Sequence, residues 1–321
     1  MRADSPIEAD SQVQPDGLPK VAVLLATHDG ERYLEEQLDT ILSQEGVRLR
    51  LIVSDDASTD GTMALLEARA ADDPRIELLP PGRYGSPSAN FYRLLTEAPL
   101  EDDEHVAFAD QDDRWLPGKL ARHARLLAER GADGVSSNVW AFDETGARRL
   151  IRKDHPQRLL DYCFETPGPG CSMLLTPRLA RLVIGQLENP DSPARDAWSH
   201  DLLVYALCRA AGLRWIVDST PSLEYRQHGA NAIGANGTIG AAAKRLQLAA
   251  TRWHRKLVGI VVESCIHVAA PSELPRLQWA HELLSNPTPT NLARLARRAD
   301  AFRRRPRDRV VLAALMTSGL W

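Results

Sequence analysis

Up to Arg130 the chain alternates short apolar runs with longer amphipathic stretches. Val21–Thr27 (VAVLLAT) predicts a buried strand and Glu31–Gln44 an amphipathic helix. Leu49–Ser54 is a second strand, and Ser58, Thr59 and Asp60 supply N-cap chemistry for a helix running through Ala70. Ile76–Leu79 reads as a short third strand and Pro87–Ala98 as a helix. His105–Ala109 follows as a fourth strand and Leu116–Arg130 as the next helix. Strands alternating with helices of this length predict an α/β fold built on a parallel, doubly wound sheet.

After Gly131 the rhythm changes. Gly134–Phe142 predicts another strand, and Gly168–Thr176 a strand punctuated by Pro and Gly. Pro177–Leu187 and Asp196–Ala211 predict helices, while Leu213–Val217 and Ser222–Gln227 read as extended. Everything beyond Thr238 has helical character, broken near Pro271, Pro287–Pro289 and Pro306. No repeat emerges. No G-x-G-x-x-G follows the first strand and no P-loop is present, which argues against a dinucleotide or Walker-type site.

At 321 residues the chain has room for one large domain, or a domain plus an appendage, and its 44% apolar content is ordinary for a globular protein. Met1 to Pro19 is polar and acidic, so a disordered tail is expected rather than a signal peptide. Leu257–Ala270 is interrupted by Glu263 and His267 and is too short to span a bilayer, so no crossing segment is expected. Four scattered cysteines (Cys163, Cys171, Cys208 and Cys265) suit a reducing cytoplasm and form no metal-binding spacing.

The net charge of −4 conceals an asymmetry. Met1 to Ile239 carries 25 Lys and Arg against 38 Asp and Glu (−13); Gly240 to Trp321 carries 14 against 5 (+9). An acidic body with a basic helical tail suggests two jobs, or one job at an anionic surface.

The chemistry concentrates at the ends of the early strands. Val106 to Ala109 runs into Asp110, Asp112 and Asp113, and the carboxyl edge of an open α/β sheet is where ligands bind. If the strand continues, Asp110 and Asp112 project to one side. Like charges held close repel unless a cation or proton lies between them, and Mg²⁺ or Mn²⁺ meets that need while leaving sites for phosphate oxygens. The plainer alternative is a solvated acidic turn. Thr27, His28 and Asp29 end the first strand and Asp55 and Asp56 the second. Capping by Ser58 or Asp60 would free Asp56 for a ligand.

Seven ordered segments carry a resemblance: VAVLLATHDGERYLEEQLDTILSQ, LIVSDDASTDGT, SPSANFYRLL, FADQDDRWLPGKL, then GPGCSMLLTPRL, WSHDLLVYALCRAAG and YRQHGANAIG. Together they resemble glycosyltransferase family 2, over Lys20 to Gly234. Within it they are most similar to the rhamnosyltransferase-like bacterial subgroup, whose acidic motif reads Asp-Gln-Asp-Asp with an aromatic after it. The resemblance implies a GT-A fold, a Rossmann-like and mostly parallel sheet flanked by helices, with a C-terminal helical appendage. It divides the chain into a disordered tail (1–19), a GT-A domain (20–238, its nucleotide-binding half ending near 130) and a basic helical region (239–321).

The same resemblance implies roles. Thr27, Asp29 and Asp56 would hold the base and ribose of a sugar nucleotide, and Asp110 and Asp112 a divalent ion bridging its diphosphate. Asp201 would be the base that deprotonates an acceptor hydroxyl in a one-step inverting transfer; taken alone it is also an acid favoured at a helix N-terminus. His200 would orient it or contact sugar. Arg226 is a candidate diphosphate contact and His228 a third metal ligand. Asn90 would approach ribose or diphosphate, or bond a helix N-terminus. Asp113 would touch donor-sugar hydroxyls or cap a helix, and Trp198 and Trp115 would stack on sugar or belong to the core. Cys171 is expected to be a buried small residue, with no base beside it to make it a nucleophile.

The expected activity is transfer of a sugar, L-rhamnose from dTDP-L-rhamnose first among them, from a dTDP- or UDP-sugar donor. The acceptor would be a glycan or lipid-linked glycan in surface polysaccharide biosynthesis. The alternatives are a UDP-hexose or N-acetylhexosamine transferase and a nucleotide-sugar-binding scaffold without turnover. A sugar-phosphate nucleotidyltransferase should carry a Gly-rich basic loop after the first strand, and Thr27-His28-Asp29-Gly30 offers none. Arg294, Arg297, Arg298, Arg303, Arg304, Arg305, Arg307 and Arg309 would dock a cytoplasmic protein on the anionic inner face of the membrane, or pair with the acidic body. No nucleic-acid module accompanies them.

Overall fold

A computed structural model describes residues 17–227 and 253–321. The expected N-terminal tail up to Asp16, His228 and the start of the basic region lie outside the described residues. Eleven strands occur among the described residues: β1 (Lys20–Thr27), β2 (Arg48–Asp55), β3 (Ile76–Leu78), β4 (His105–Asp110), β5 (Arg114–Trp115), β6 (Gly134–Ser137), β7 (Val139–Phe142), β8 (Arg148–Ile151), β9 (Leu174–Leu175), β10 (Trp215–Asp218) and β11 (Leu223–Arg226). The helices in the body are α1 (Glu31–Leu42), α2 (Thr62–Asp72), α3 (Pro87–Glu97), α4 (Lys119–Arg130), α5 (Pro177–Glu188) and α6 (His200–Ala210). Five more follow: α7 (Trp253–Ile266), α8 (Leu274–Ser285), α9 (Pro289–Ala296), α10 (Ala299–Phe302) and α11 (Pro306–Thr317).

Seven strands form the main sheet in the order β10-β6-β9-β4-β1-β2-β3. The pairs around β1 and β2 are parallel, as is β10 with β6; only β9 runs antiparallel, between β4 and β6. The alternation along β1 assigns its two faces to different cores. Ala22 and Leu24 pack with Phe91 and Leu94 of α3, whereas Val21, Val23 and Leu25 pack with Leu34, Leu38 and Ile41 of α1. A smaller sheet, β5-β11-β7-β8, stands beside the acidic strand end.

Several predicted elements are redrawn. The stretch Gly134–Phe142 is two strands, because Asn138 turns the chain out of the main sheet into the smaller one. The predicted strand Gly168–Thr176 is a 3₁₀ turn over Gly170–Ser172 followed by the two-residue β9. Helix α4 begins at Lys119, not Leu116, because Pro117 and left-handed Gly118 (φ 74°) stop the helix from extending back, and Arg114–Trp115 pair as β5 instead. Helix α2 begins at Thr62 rather than Thr59: Asp60 accepts the Thr62 N–H at 3.0 Å and holds the residues before it in a turn. Before α6 the predicted helix is interrupted, with a 3₁₀ turn at Pro193–Asp196.

The C-terminal helices share one core with the sheet. Leu277, Leu295, Phe302, Met316 and Trp321 belong to the cluster that contains Phe91 and Phe108. A buried polar network ties the same region down: Asp161 accepts from Arg304 and from the Tyr205 hydroxyl (3.1 Å), and the Arg304 N–H donates to Glu165 at 2.6 Å. Arg304 also reaches the Thr166 carbonyl, at 3.2 Å, where the Gly-Pro-Gly turn begins. Of the eight arginines in the predicted docking patch, Arg303, Arg304, Arg305 and Arg309 therefore bond inward, while Arg294, Arg297, Arg298 and Arg307 face solvent. No helix among the described residues is long and apolar enough to cross a membrane.

Candidate active site

Parallel register brings the three strand ends to one edge: Thr27 lies opposite Asp55, and Ala26 opposite Asp110. Two non-glycine residues just beyond these ends adopt left-handed backbone, Asp29 (φ 46°) and Ala57 (φ 54°). Such conformations persist only where surrounding bonds hold them. Here Asp29 accepts the Thr59 N–H at 2.7 Å and donates its own N–H to the Ser58 hydroxyl at 2.9 Å, fastening one turn to the other. Asp55 accepts from the Thr27 hydroxyl (2.8 Å) and the Ser58 N–H (2.8 Å), so this acid caps the turn. Asp56 accepts the backbone N–H groups of Tyr84 and Gly85 and thereby anchors the loop before α3. Asn90 is buried; its amide donates to the Ser54 carbonyl at 2.8 Å and accepts from the Ser54 hydroxyl at 2.5 Å. Ser86, not Asn90, caps α3.

Gln111, which carried no expected role, bonds His28 twice, accepting its N–H and donating to its carbonyl, both at 2.8 Å. Gly30 leaves the room for that amide; a Cβ there would collide with it. Gln37 holds the other side, donating to the Asp110 carbonyl at 2.8 Å. The acidic run is thus bonded on both flanks to the first βα unit.

Carboxylate oxygens of Asp110 and Asp113 and the Cys171 sulfur lie within 4.8 Å of one another. Asp113 is wholly buried; one oxygen accepts the backbone N–H of Arg226 at 3.1 Å, the other has no N–H or O–H donor, and the weakly donating Cys171 thiol lies beside the carboxyl. Burial, then the charge of Asp112 and further off that of Asp201, push the Asp110 carboxyl up to about 7. Burial, Asp112 and Asp110 raise Asp113 well above the usual carboxylate range. Buried, mutually repelling oxygens with one lone pair unanswered are the donor set a hard divalent cation satisfies. The residues fit Mg²⁺ or Mn²⁺. Cys171 stays a thiol, since burial and the two acids raise it far above its ordinary value.

Asp201 opens α6. Ser199 caps that helix and donates its hydroxyl to Asp201, which also accepts the Leu202 N–H at 2.8 Å. Ser88 of α3 steadies the same turn, donating to the Trp198 carbonyl at 2.7 Å and accepting the His200 N–H at 3.3 Å. His200 packs between Phe91 and Phe108, with ring centroids at 4.0 and 5.3 Å, and burial lowers it to about 4, so the ring is neutral. Its Nε2 faces Gly170, where any side chain would strike it. Trp198 is 40% exposed and meets Trp253 edge to face at 4.9 Å, while Trp115 is core.

Arg226 sits beneath the cluster. Its guanidinium stacks over Tyr33 and Phe142, at 4.3 and 4.6 Å, and donates to Glu36 (2.6 Å) and to the Asp112 carbonyl (2.7 Å). The structure therefore groups Asp110 with Asp113 and Cys171, with the charge of Asp112 acting on both carboxyls, and ties the start of α6 to β4 through His200 on Phe108.

Residues 22–171 match the model of glycosyl transferase family 2. The dTDP-rhamnosyl transferase RfbG of Shigella flexneri is 36% identical over 236 residues, spanning 73% of this chain and 82% of RfbG. The chain belongs to glycosyltransferase family 2. Within that family it falls in the rhamnosyltransferase-like group. The GalNAc(5)-diNAcBac-PP-undecaprenol beta-1,3-glucosyltransferase of Campylobacter jejuni is 33% identical, over only 32% of this chain and 33% of its own length. Among solved structures, S. aureus TarS in complex with UDP-GlcNAc superposes with a TM-score of 0.58 at 15% identity, covering 94% of this chain and 89% of that one. That likeness establishes the GT-A architecture for this family 2 glycosyltransferase.

Gln37 and Gln111, which bond the acidic run to the first βα unit, and Lys119, which donates to the Cys171 carbonyl at 2.5 Å, went unmarked in the sequence. Gln111 stood out only by its place inside D-Q-D-D, and its bonds to the His28 backbone span 83 residues. Lys119 carried no signal, because a lysine four residues after an aromatic reads as an exposed helix start.

Proposed function

We propose that this glycosyltransferase moves L-rhamnose from dTDP-L-rhamnose to a hydroxyl of a glycan or lipid-linked glycan, with inversion and with the help of a divalent cation. The observation that carries the reading is that both groups belong to one sheet edge: the acidic cluster ends β4, and His200, the neighbour of Asp201, packs at 5.3 Å on Phe108 of the same strand. The rhamnose assignment is supported by the likeness to RfbG over most of both chains. The lipid-linked acceptor draws on the undecaprenol-linked relative.

In this reading Asp110, Asp112 and Asp113 hold the cation, with His228 as a further ligand. The cation supplies electrostatic stabilisation of the charge that gathers on the departing diphosphate. Thr27, Asp29 and Asp56 frame the base and ribose, Asn90 sets the strand ends beneath them, and Arg226 braces the acidic run. Asp201, at the N-terminus of α6, takes the proton of the acceptor hydroxyl as it attacks the anomeric carbon. His200, neutral and fixed by two phenylalanines, orients its neighbour, and Trp198 offers a flat surface to sugar. The solvent-facing Arg294, Arg297, Arg298 and Arg307, with exposed Val310 and Val311, place the protein against anionic lipid.

The test is a panel of dTDP- and UDP-sugars scored for Mn²⁺-dependent nucleoside diphosphate release, with the product's anomeric configuration read by NMR. Release from dTDP-L-rhamnose with inversion supports the reading. Preference for UDP-hexose or UDP-N-acetylhexosamine replaces the donor, and retention of configuration removes Asp201 from its role. Flotation with anionic but not neutral vesicles supports the lipid contact; no flotation removes it.

A further inference from the structure

Helix α4 opens with a lysine whose charge points into the protein. Lys119 is 2% exposed, donates from Nζ to the Cys171 carbonyl at 2.5 Å, and lies 3.1 Å from the centre of the Trp115 ring. Cys171 is the residue whose sulfur joins Asp110 and Asp113 within 4.8 Å. One carbonyl and one aromatic face repay only part of what it costs to remove an ammonium from water. The missing compensation lies across Cys171, in the buried Asp113 carboxyl and the half-buried Asp110 carboxyl. Burial brings Lys119 down to about 7, and Asp113 and Asp110 oppose that fall.

We propose that Lys119 is a positioning residue, the resident counter-cation of the acidic cluster, opposing the charge of Asp110 and Asp113 from the protein side. It thereby weakens the hold of those acids on a divalent ion, keeping the ion and the diphosphate it carries exchangeable. The inference rests on the cation reading proposed above. It has a consequence that a purely structural lysine lacks: removing the charge should tighten metal binding rather than loosen it.

Mn²⁺ binding to the full chain, followed by the free-ion EPR signal without donor or acceptor, provides the test. Lys119→Gln keeps a donor for the Cys171 carbonyl but no charge, Lys119→Met keeps neither, and Lys119→Arg keeps the charge. The Gln and Met variants should bind Mn²⁺ about fivefold tighter or more, as expected for loss of one nearby positive charge, and Lys119→Arg should match the wild type. In turnover, Lys119→Gln should lower kcat and donor KM together, because the product complex leaves more slowly. Equal or weaker Mn²⁺ binding by both neutral variants, or tightening in Lys119→Arg, overturns the assignment while leaving the cation reading intact. Binding by Lys119→Gln but not by the wild type upholds Lys119 and removes the ion from the native reaction. No binding by any of the four proteins overturns both.

Discussion

Asp110→Asn should make the metal-free protein more stable at alkaline pH, although it disables the proposed ion site. Asp110 titrates at about 7 in the fold against 3.8 in the unfolded chain. The folded protein therefore retains a proton that the unfolded chain has released, and this group's contribution to stability falls as pH rises from about 4 through about 7. At 1.36 kcal/mol per unit, full ionisation costs about 4 kcal/mol. Asp110 is only half-buried and interacts with Asp112 and Asp113, so about 2 kcal/mol is the expected gain from the neutral amide at pH 8. That corresponds to a Tm higher by about 3–5 °C. The assay is thermal unfolding by circular dichroism at pH 5 and pH 8, in EDTA and in Mn²⁺, with the difference between variant and wild type as the readout. The difference should be near zero at pH 5, clearly positive at pH 8 in EDTA, and reduced or reversed by Mn²⁺, which stabilises only the wild type. A variant no more stable than the wild type at pH 8 in EDTA would refute the claim that the acidic cluster stores electrostatic strain.

Asp201→Asn should lower kcat by 10²–10⁴, the usual worth of a general base, with donor KM changed by less than about threefold; initial rates at saturating donor check this. Arg304→Ala leaves buried Asp161 with only Arg209 at 3.5 Å and the Tyr205 hydroxyl at 3.1 Å and should cost about 3 kcal/mol, measured by urea unfolding. Combining Arg304→Met with Asp161→Leu should recover most of that loss. His123 is buried with neither ring nitrogen bonded, and burial lowers it to about 3; His200 is lowered to about 4. The unfolded chain takes up those protons first, so the contribution of these histidines to stability should decline as pH falls below 6.5 toward 4, opposing that of Asp110. His123→Leu should shift the acid midpoint downward, and an unchanged midpoint would remove that histidine from the cause.

The parallel half of the sheet was legible because buried strands and amphipathic helices alternate with clean boundaries, and every strand from β1 to β4 lies within a residue or two of its predicted place. Legibility fails after Gly131, where secondary structure answers to neighbours instead of local pattern. Asn138 divides one apolar run between two sheets, and β9 is two residues long because it only fills the gap between β4 and β6. β8 had no local signature, since RRLI acquires its strand character by pairing with β7. The site shows the same division. The acids at the strand ends could be read from their positions, but which of them converge could not: Asp113, undecided in the sequence, is the one gathered with Asp110 and Cys171.

The sequence by itself determined the fold class, the carboxyl edge as the place of chemistry and the kinship that its ordered motifs carry, because these depend on periodicity and on residues adjacent in the chain. Tertiary structure alone decided the rest. It turned half the basic tail inward, since Arg304 finds Asp161, 143 residues distant in sequence, and a buried carboxylate draws in a cation more strongly than solvent holds it. It also set Lys119 on the carbonyl of Cys171, 52 residues away in sequence and beside the acidic cluster, a contact that no local motif announces.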